Sequence, residues 1–275
     1  MPEGKPSAER VGESRGAVKS GRGPSVRLSG LLLVALLPGY PLQLSAQQVS
    51  ARQEAADSVQ NPTVLRWWHG AIAVGGLSAL LLLDEPGQRF FQERRSTGAD
   101  NWARAIRRGG QPEVYGTITL GLVAAGLLSG DANLTRSGGR LAATLLLAGG
   151  TATVAKLALG RPRPSQSLDA DGYSPFSGQD AMPSGHTTMA FALATALADD
   201  IHRPWATVGL YTLATGVGWS RINDNRHWLS DVAGGAIVGI TSAKLVNGHW
   251  RIFGLRPPSV LLGPGHAGLA WRVEF

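Results

Sequence analysis

Three short blocks in the second half of the chain concentrate residues able to handle a charged oxyanion. Lys156-Leu-Ala-Leu-Gly-Arg161-Pro162-Arg163-Pro164 places three cations where Gly and Pro end an apolar segment, and cations at that density require an anionic partner. Pro183-Ser184-Gly185-His186 precedes Thr187-Thr188-Met189-Ala190-Phe191. Ser184 suits the N-cap of a helix whose first backbone amides form a ready anion site, with His186 beside it. The third block runs from Ser220-Arg221 through Asp224, Arg226 and His227 to Asp231. His227 and Asp231 are four residues apart, so on a helix the carboxylate can reach the imidazole, fix its tautomer and leave the other ring nitrogen free as a nucleophile. Taken singly, each block has a plainer reading: a snorkelling helix end, a turn with a cap, and a pair of surface side chains.

The elements that carry these blocks decide between the readings. Apolar segments recur at about 65–83, 114–130, 138–158, 187–199, 204–219 and 230–247 without strand-like alternation, which predicts an all-α chain of six helices. Between the first two lies Asp84 to Glu113, with six Arg, five acids and scattered aromatics, the pattern of one or two surface helices. A polar loop, Pro164 to Met182, separates the third and fourth, and a loop of that length in a compact domain is usually a lid or a binding loop. In an up-and-down bundle the end of helix 3, the start of helix 4 and the helix 5–6 connection share one end. All three blocks then converge, with Lys156, Arg163, Arg221, His186 and His227 around one cavity. The tail alternates Leu269, Trp271, Val273 and Phe275 with Ala270, Arg272 and Glu274 after Gly263-Pro264-Gly265, which predicts a terminal β-hairpin.

The three blocks together resemble the tripartite signature of the type 2 phosphatidic acid phosphatase superfamily, which includes bacterial acid phosphatases and vanadium haloperoxidases. Lys-x6-Arg-Pro, Pro-Ser-Gly-His and Ser-Arg-x5-His-x3-Asp are present in order and at full spacing between 156 and 231. The resemblance implies a six-helix bundle of that family's type over residues 62–247. It further implies that Lys156, Arg163 and Arg221 bind phosphate oxygens with Ser184 and the Gly185 amide, and that His227 attacks phosphorus to form a phosphohistidine. Asp231 would orient His227, and His186 would protonate the leaving alcohol, with no metal and no cofactor. Arg161 ranks below Arg163, because only Arg163 satisfies the signature's spacing. Asp224 and Arg226 read as rim residues, and His69, His202, His249 and His266 as structural or surface. A phosphatase acting on lipid phosphates or small phosphoesters is the leading expectation, with a rate profile that is bell-shaped and optimal below neutrality. A vanadium-dependent haloperoxidase, or an envelope structural or binding protein with an inactive site, are the alternatives.

Composition narrows the setting. The 275 residues are 43% hydrophobic and only 16% charged, with 37 Gly and no Cys. That excludes pervasive disorder, disulfide frameworks, thiol nucleophiles and Cys-ligated metals. The net charge is +7, but residues 1–46 hold six Lys/Arg against three Glu, so the remainder is too weakly basic for a nucleic-acid partner. Those cations precede the apolar run Leu31 to Leu37 and small residues ending at Ala46. The segment reads as a secretory signal over 1–46, followed by a linker at 47–61, with an uncleaved anchor as the alternative. The tail occupies 248–275. The charge-free runs within the helices are all under 18 residues and the mean hydropathy is near zero, so the number of spans stays open. An exported, membrane-associated protein with its site facing the periplasm is expected.

Overall fold

The computed structural model describes residues 62–252, together with strands at 29–35, 259–263 and 266–274. The remainder of the expected signal segment and the whole of the linker, 47–61, lie outside the described residues. The six apolar segments are helices: α1 (Trp67–Leu81), α4 (Pro112–Ser129), α5 (Ala132–Leu159), α6 (Gly185–Ile201), α7 (Pro204–Asn223) and α8 (Leu229–Val246). Two shorter helices, α2 (Asp84–Glu93) and α3 (Thr97–Ile106), and a 3-10 turn at Arg107–Gly110 fill the charged interval between the first two. The mainly helical class read from the apolar periodicity is therefore the observed one. Helix ends fall where local chemistry puts them. Ser96 and Asp131 accept amide hydrogen bonds at the starts of α3 and α5, and Pro112 and Pro204 occupy the first turns of α4 and α7.

Helix α6 is the centre of the bundle, packed against α5, α7 and α8. Ala192, Leu193 and Ala196 face Leu141, Leu145, Ala148 and Ala243 on one side, while Ala190, Phe191 and Ala194 face Ala214 and Val217 on the other. Small residues allow the helices to approach closely. A Cβ on Gly239 of α8 would sit 2.4 Å from the Thr188 carbonyl oxygen of α6, inside van der Waals contact. The outer surface is unusually apolar, with Trp67, Ile72, Leu82, Leu120, Leu128, Leu146 and Trp205 all largely exposed. By length and composition, Thr97–Ser129, Ala132–Leu159 and Leu229–Val246 can each cross a membrane. Trp67–Leu81 with Asp84–Glu93, bent by 52°, makes a fourth if the pair acts as one span.

The C-terminal hairpin is present: β4 (Ser259–Gly263) pairs antiparallel with β5 (His266–Glu274). Two pairings lie beyond the sequence expectations. β1 (Ser29–Ala35), within the segment 1–46 read as a signal, pairs antiparallel with β5, and β2 (Thr63–Leu65) pairs parallel with β3 (Trp250–Ile252). Runs of three to seven apolar residues do not distinguish helix from strand by periodicity, so partner choice has to come from the rest of the chain.

Candidate active site

The first block begins in the last turn of α5 and leaves it at Gly160, whose left-handed φ of 55° closes the helix. A side chain there would meet the Ser174 carbonyl at 1.7 Å, so only glycine lets the 161–184 loop fold back over the helix end. That loop is pinned to the third block: the Trp228 indole donates to the Pro162 carbonyl at 3.0 Å, and Ala170, Ala181 and Trp228 pack together, buried. The second block is tied to the third by the Ser184 amide, which donates to the Asp231 carbonyl at 2.9 Å. These three ties bring the end of α5, the start of α6 and the start of α8 to one place, as the six-helix order required.

Each expected site residue can now be located. Lys156 is half-buried and donates to the backbone carbonyl of Asp180. Arg163 forms a two-pronged pair with the same residue, Nε to Oδ1 at 2.8 Å and Nη2 to Oδ2 at 2.6 Å. Arg221 is buried at the end of α7 and donates to Asp224 at 2.9 Å, while its Nε has no partner. Arg107 of the 3-10 turn reaches the same carboxylate at 3.2 Å. Ser184 stands at the N-cap position of α6, but its hydroxyl accepts from the Thr187 hydroxyl at 2.9 Å rather than from a backbone amide. Gly185 opens the helix beside Lys156, whose Cε would lie 3.9 Å from a Cβ placed there.

His227 is buried just ahead of α8. Its Nδ1 lies 2.8 Å from the Ala181 carbonyl oxygen, and a carbonyl can only accept, so Nδ1 carries the proton and Nε2 keeps its lone pair. The sequence spacing assigned that orienting task to Asp231. The carboxylate is nearby, but at 3.6 Å from Nδ1 it stands outside hydrogen-bond reach and accepts instead from the Trp228 amide at 2.8 Å. Asp231 thus acts on the ring through its charge, and the loop backbone holds the tautomer. Burial pushes the His227 imidazole below its ordinary pKa, against the pull of Asp231.

His186, in the first turn of α6, is pushed down to about 4, first by burial and then by the positive charges of Arg221, His227, Arg107 and Arg163. Asp180 is drawn the opposite way: burial would raise its pKa, but the hydrogen bonds and charge of Arg163, with Lys156 and His227, hold it below the usual carboxylate range.

Several members of the site were not singled out from sequence. Arg161, ranked below Arg163, is fully buried and bridges Asp84 and Asp231 at 2.7 Å each. Asp84, also fully buried, opens α2 and accepts from the Ser230 amide at 2.8 Å and the Ser230 hydroxyl at 2.5 Å. In sequence it stands only as the first of the five acids between Asp84 and Glu113. Asp180 and Arg107 carried no signal beyond their charge, and Ala181 acts through its backbone, which no side-chain motif encodes. Among the described residues no group of three or more His, Cys, Asp or Glu is arranged to hold a metal ion.

The protein is thus a mainly helical bundle with cations and two histidines at the ends of its central helices. Residues 137–251 match the PAP2 superfamily, the superfamily that the three blocks resemble. Over 108 residues it is 43% identical to a lipid A 1-phosphatase of Porphyromonas gingivalis, an alignment covering 38% of this chain and 22% of that protein. The chain therefore spans only about a fifth of the length of that relative. Two crystal structures are similar at 21% identity. Aquifex aeolicus LpxE aligns over 60% of this chain and 94% of its own, with a TM-score of 0.48. A transmembrane PAP2 type phosphatidylglycerolphosphate phosphatase from Bacillus subtilis aligns over 66% and 92%, with a TM-score of 0.49.

Proposed function

We propose that this protein is a phosphatase that hydrolyses phosphomonoesters or diphosphates of lipids through a phosphohistidine at His227, without a metal. The observation that carries the reading is the hydrogen bond from His227 Nδ1 to the Ala181 carbonyl at 2.8 Å. It leaves Nε2 as an unprotonated nucleophile, on a ring that feels the positive charges of Lys156 and Arg221. An incoming phosphate displaces Asp180 from Arg163 and takes up the charges of Lys156, Arg163 and Arg221, with the α6 amides at Gly185 completing the cradle. Nε2 attacks phosphorus, the ester P–O bond breaks, and the leaving oxygen takes the His186 proton. Water, deprotonated by His186, then cleaves the N–P bond and releases phosphate.

The low pKa of His186 shapes this scheme. With the site empty the imidazole is neutral above about pH 4. The negative charge of bound phosphate offsets the surrounding cations and raises the proton affinity of His186, so that protonation and substrate binding are coupled. An optimum on the acid side of neutrality follows.

Lipid phosphates are favoured as substrates by the apolar outer surface and the helices able to cross a membrane, and by the name of the relative from P. gingivalis. Export, membrane association and a periplasm-facing site belong to the same proposal. The test is phosphate release in excess chelator from phosphatidate, isoprenyl diphosphate and a small aryl phosphate, comparing the native protein with His227→Ala. Chelator-resistant release that the substitution abolishes is expected. No release from any substrate by folded protein would overturn the reading.

A further inference from the structure

Arg161 and Asp84 play no part in the scheme above, yet with Asp231 and Ser230 they form the most deeply enclosed charged cluster among the described residues. The Arg161 guanidinium donates from Nη2 to Asp84 Oδ2 at 2.7 Å, from Nη1 to Asp231 Oδ1 and to the Ser230 hydroxyl at 2.7 Å each, and from Nε to the Ala170 carbonyl at 2.8 Å. The side chains of Arg161, Asp84 and Asp231 are each 0% exposed. Every polar partner of Asp84 is a donor: Arg161, the Ser230 amide and the Ser230 hydroxyl. The same holds for Asp231, which accepts from Arg161 and from the Trp228 amide. Both groups are therefore carboxylates, and one guanidinium between two of them leaves the cluster one negative charge.

A buried ion pair is a weak device for stability, because desolvation consumes most of its attraction. Its charge is better explained by what faces it. Asp231 Oδ2 lies 3.6 Å from Nδ1 of His227, and attack on phosphorus by the neutral ring leaves that ring positively charged, with Nδ1–H retained. A lone Arg161–Asp231 pair would be neutral and would present this buried cation with no net counter-charge. A second carboxylate on the far side of Arg161 corrects that.

We propose that Asp84 and Arg161 are positioning residues that set the counter-charge of the nucleophile: Asp84 neutralises Arg161, so Asp231 keeps its charge for the phosphorylated ring of His227. The inference rests on His227 being the nucleophile. Asp84 lies outside the matched region 137–251 and reaches the site from the start of α2, while Arg161 comes from the loop after α5 and Asp231 from α8. Placement to within hydrogen-bond distance and charge balance are thus set by the same three side chains.

The experiment compares the full-length native protein with Asp84→Asn and with the double variant Asp84→Asn/Arg161→Gln on the best substrate of the panel above. Asp84→Asn leaves the cluster neutral. Its kcat should fall about 100-fold while KM stays within about threefold, because Lys156, Arg163 and Arg221 are untouched. The double variant returns the cluster to one negative charge and should recover at least tenfold in kcat over Asp84→Asn. A double variant that folds and is no more active than the single one overturns the proposal, as does a defect confined to KM. If Asp84→Asn fails to fold, the double variant decides alone: kcat within about tenfold of native supports the proposal, and a folded but inactive protein overturns it. Native protein that releases no phosphate defeats the phosphatase reading itself, whereas an active native protein without charge rescue defeats only this inference.

Discussion

The two ends of α6 use similar residues to different effect. At its C-terminal end Asp199 gathers Lys244 at 2.6 Å, Asn247 at 3.0 Å and His249 at 3.4 Å, and Asp200 pairs with Arg140 at 2.5 Å. All of these side chains keep some contact with solvent, every cation has an acid within reach, and the arrangement ties helix ends together. At the N-terminal end Arg161 is sealed from solvent between two carboxylates, Arg221 is buried beside Asp224, and Arg163 is matched by Asp180 of the loop after α5. Charges satisfied at a surface hold a structure. Charges withdrawn from solvent and set against one another are where a functional site is sought.

Substitutions at the two ends should differ in what they cost. The largest effect is expected at the site end: Arg163→Ala should lower kcat/KM by about 10²–10³-fold, and a loss under threefold in steady-state kinetics would show that this arginine serves Asp180 and not phosphate. Packing comes next. Gly239→Ala forces a Cβ against the Thr188 carbonyl and Ala192 amide and should destabilise the bundle by about 1–3 kcal/mol, read as a lower midpoint in thermal or denaturant unfolding. Arg107 is one of the cations holding His186 down to about 4. Removing that charge favours the imidazolium, so Arg107→Gln should move the His186 titration midpoint upward by NMR and carry the alkaline limb of kcat/KM with it. An unmoved midpoint would take Arg107 out of the site's field. At the far end, Lys244→Met should change stability by less than about 1 kcal/mol and leave kcat unaltered. A loss of activity there would erase the distinction between the two ends.

Much of the bundle was legible because its signals are local. The six apolar segments become α1 and α4 to α8 within a few residues of the expected bounds, and the charged interval becomes two short helices, since periodicity, Gly and Pro act within a turn or two of the chain. The site was legible as far as its residue types: Lys156, Arg163, Ser184, Gly185, His186, Arg221, His227 and Asp231 lie at the joined ends of α5 to α8. Which atom holds which was not. Ala181 offers only a carbonyl to His227, and a backbone group has no side-chain identity to read. Arg161 was undervalued because its role depends on Asp84, 77 residues earlier in the chain, and no spacing rule spans that distance.

From the amino-acid sequence alone come the helical class, the order of the helices and the end of the bundle at which the charged blocks meet. Each of these follows from patterns shorter than one helix and from the alternation of an up-and-down chain. The tertiary structure decided the tautomer of His227, the pairing of Arg163 with Asp180, the strand partners of the termini and the burial of Arg161 between Asp84 and Asp231. Those outcomes depend on groups distant in sequence arriving within 3 Å of one another. For the pairs of the site, the packing of α2, α5, α6 and α8 with the loop after α5 brings that about, and around Arg161 it also excludes solvent.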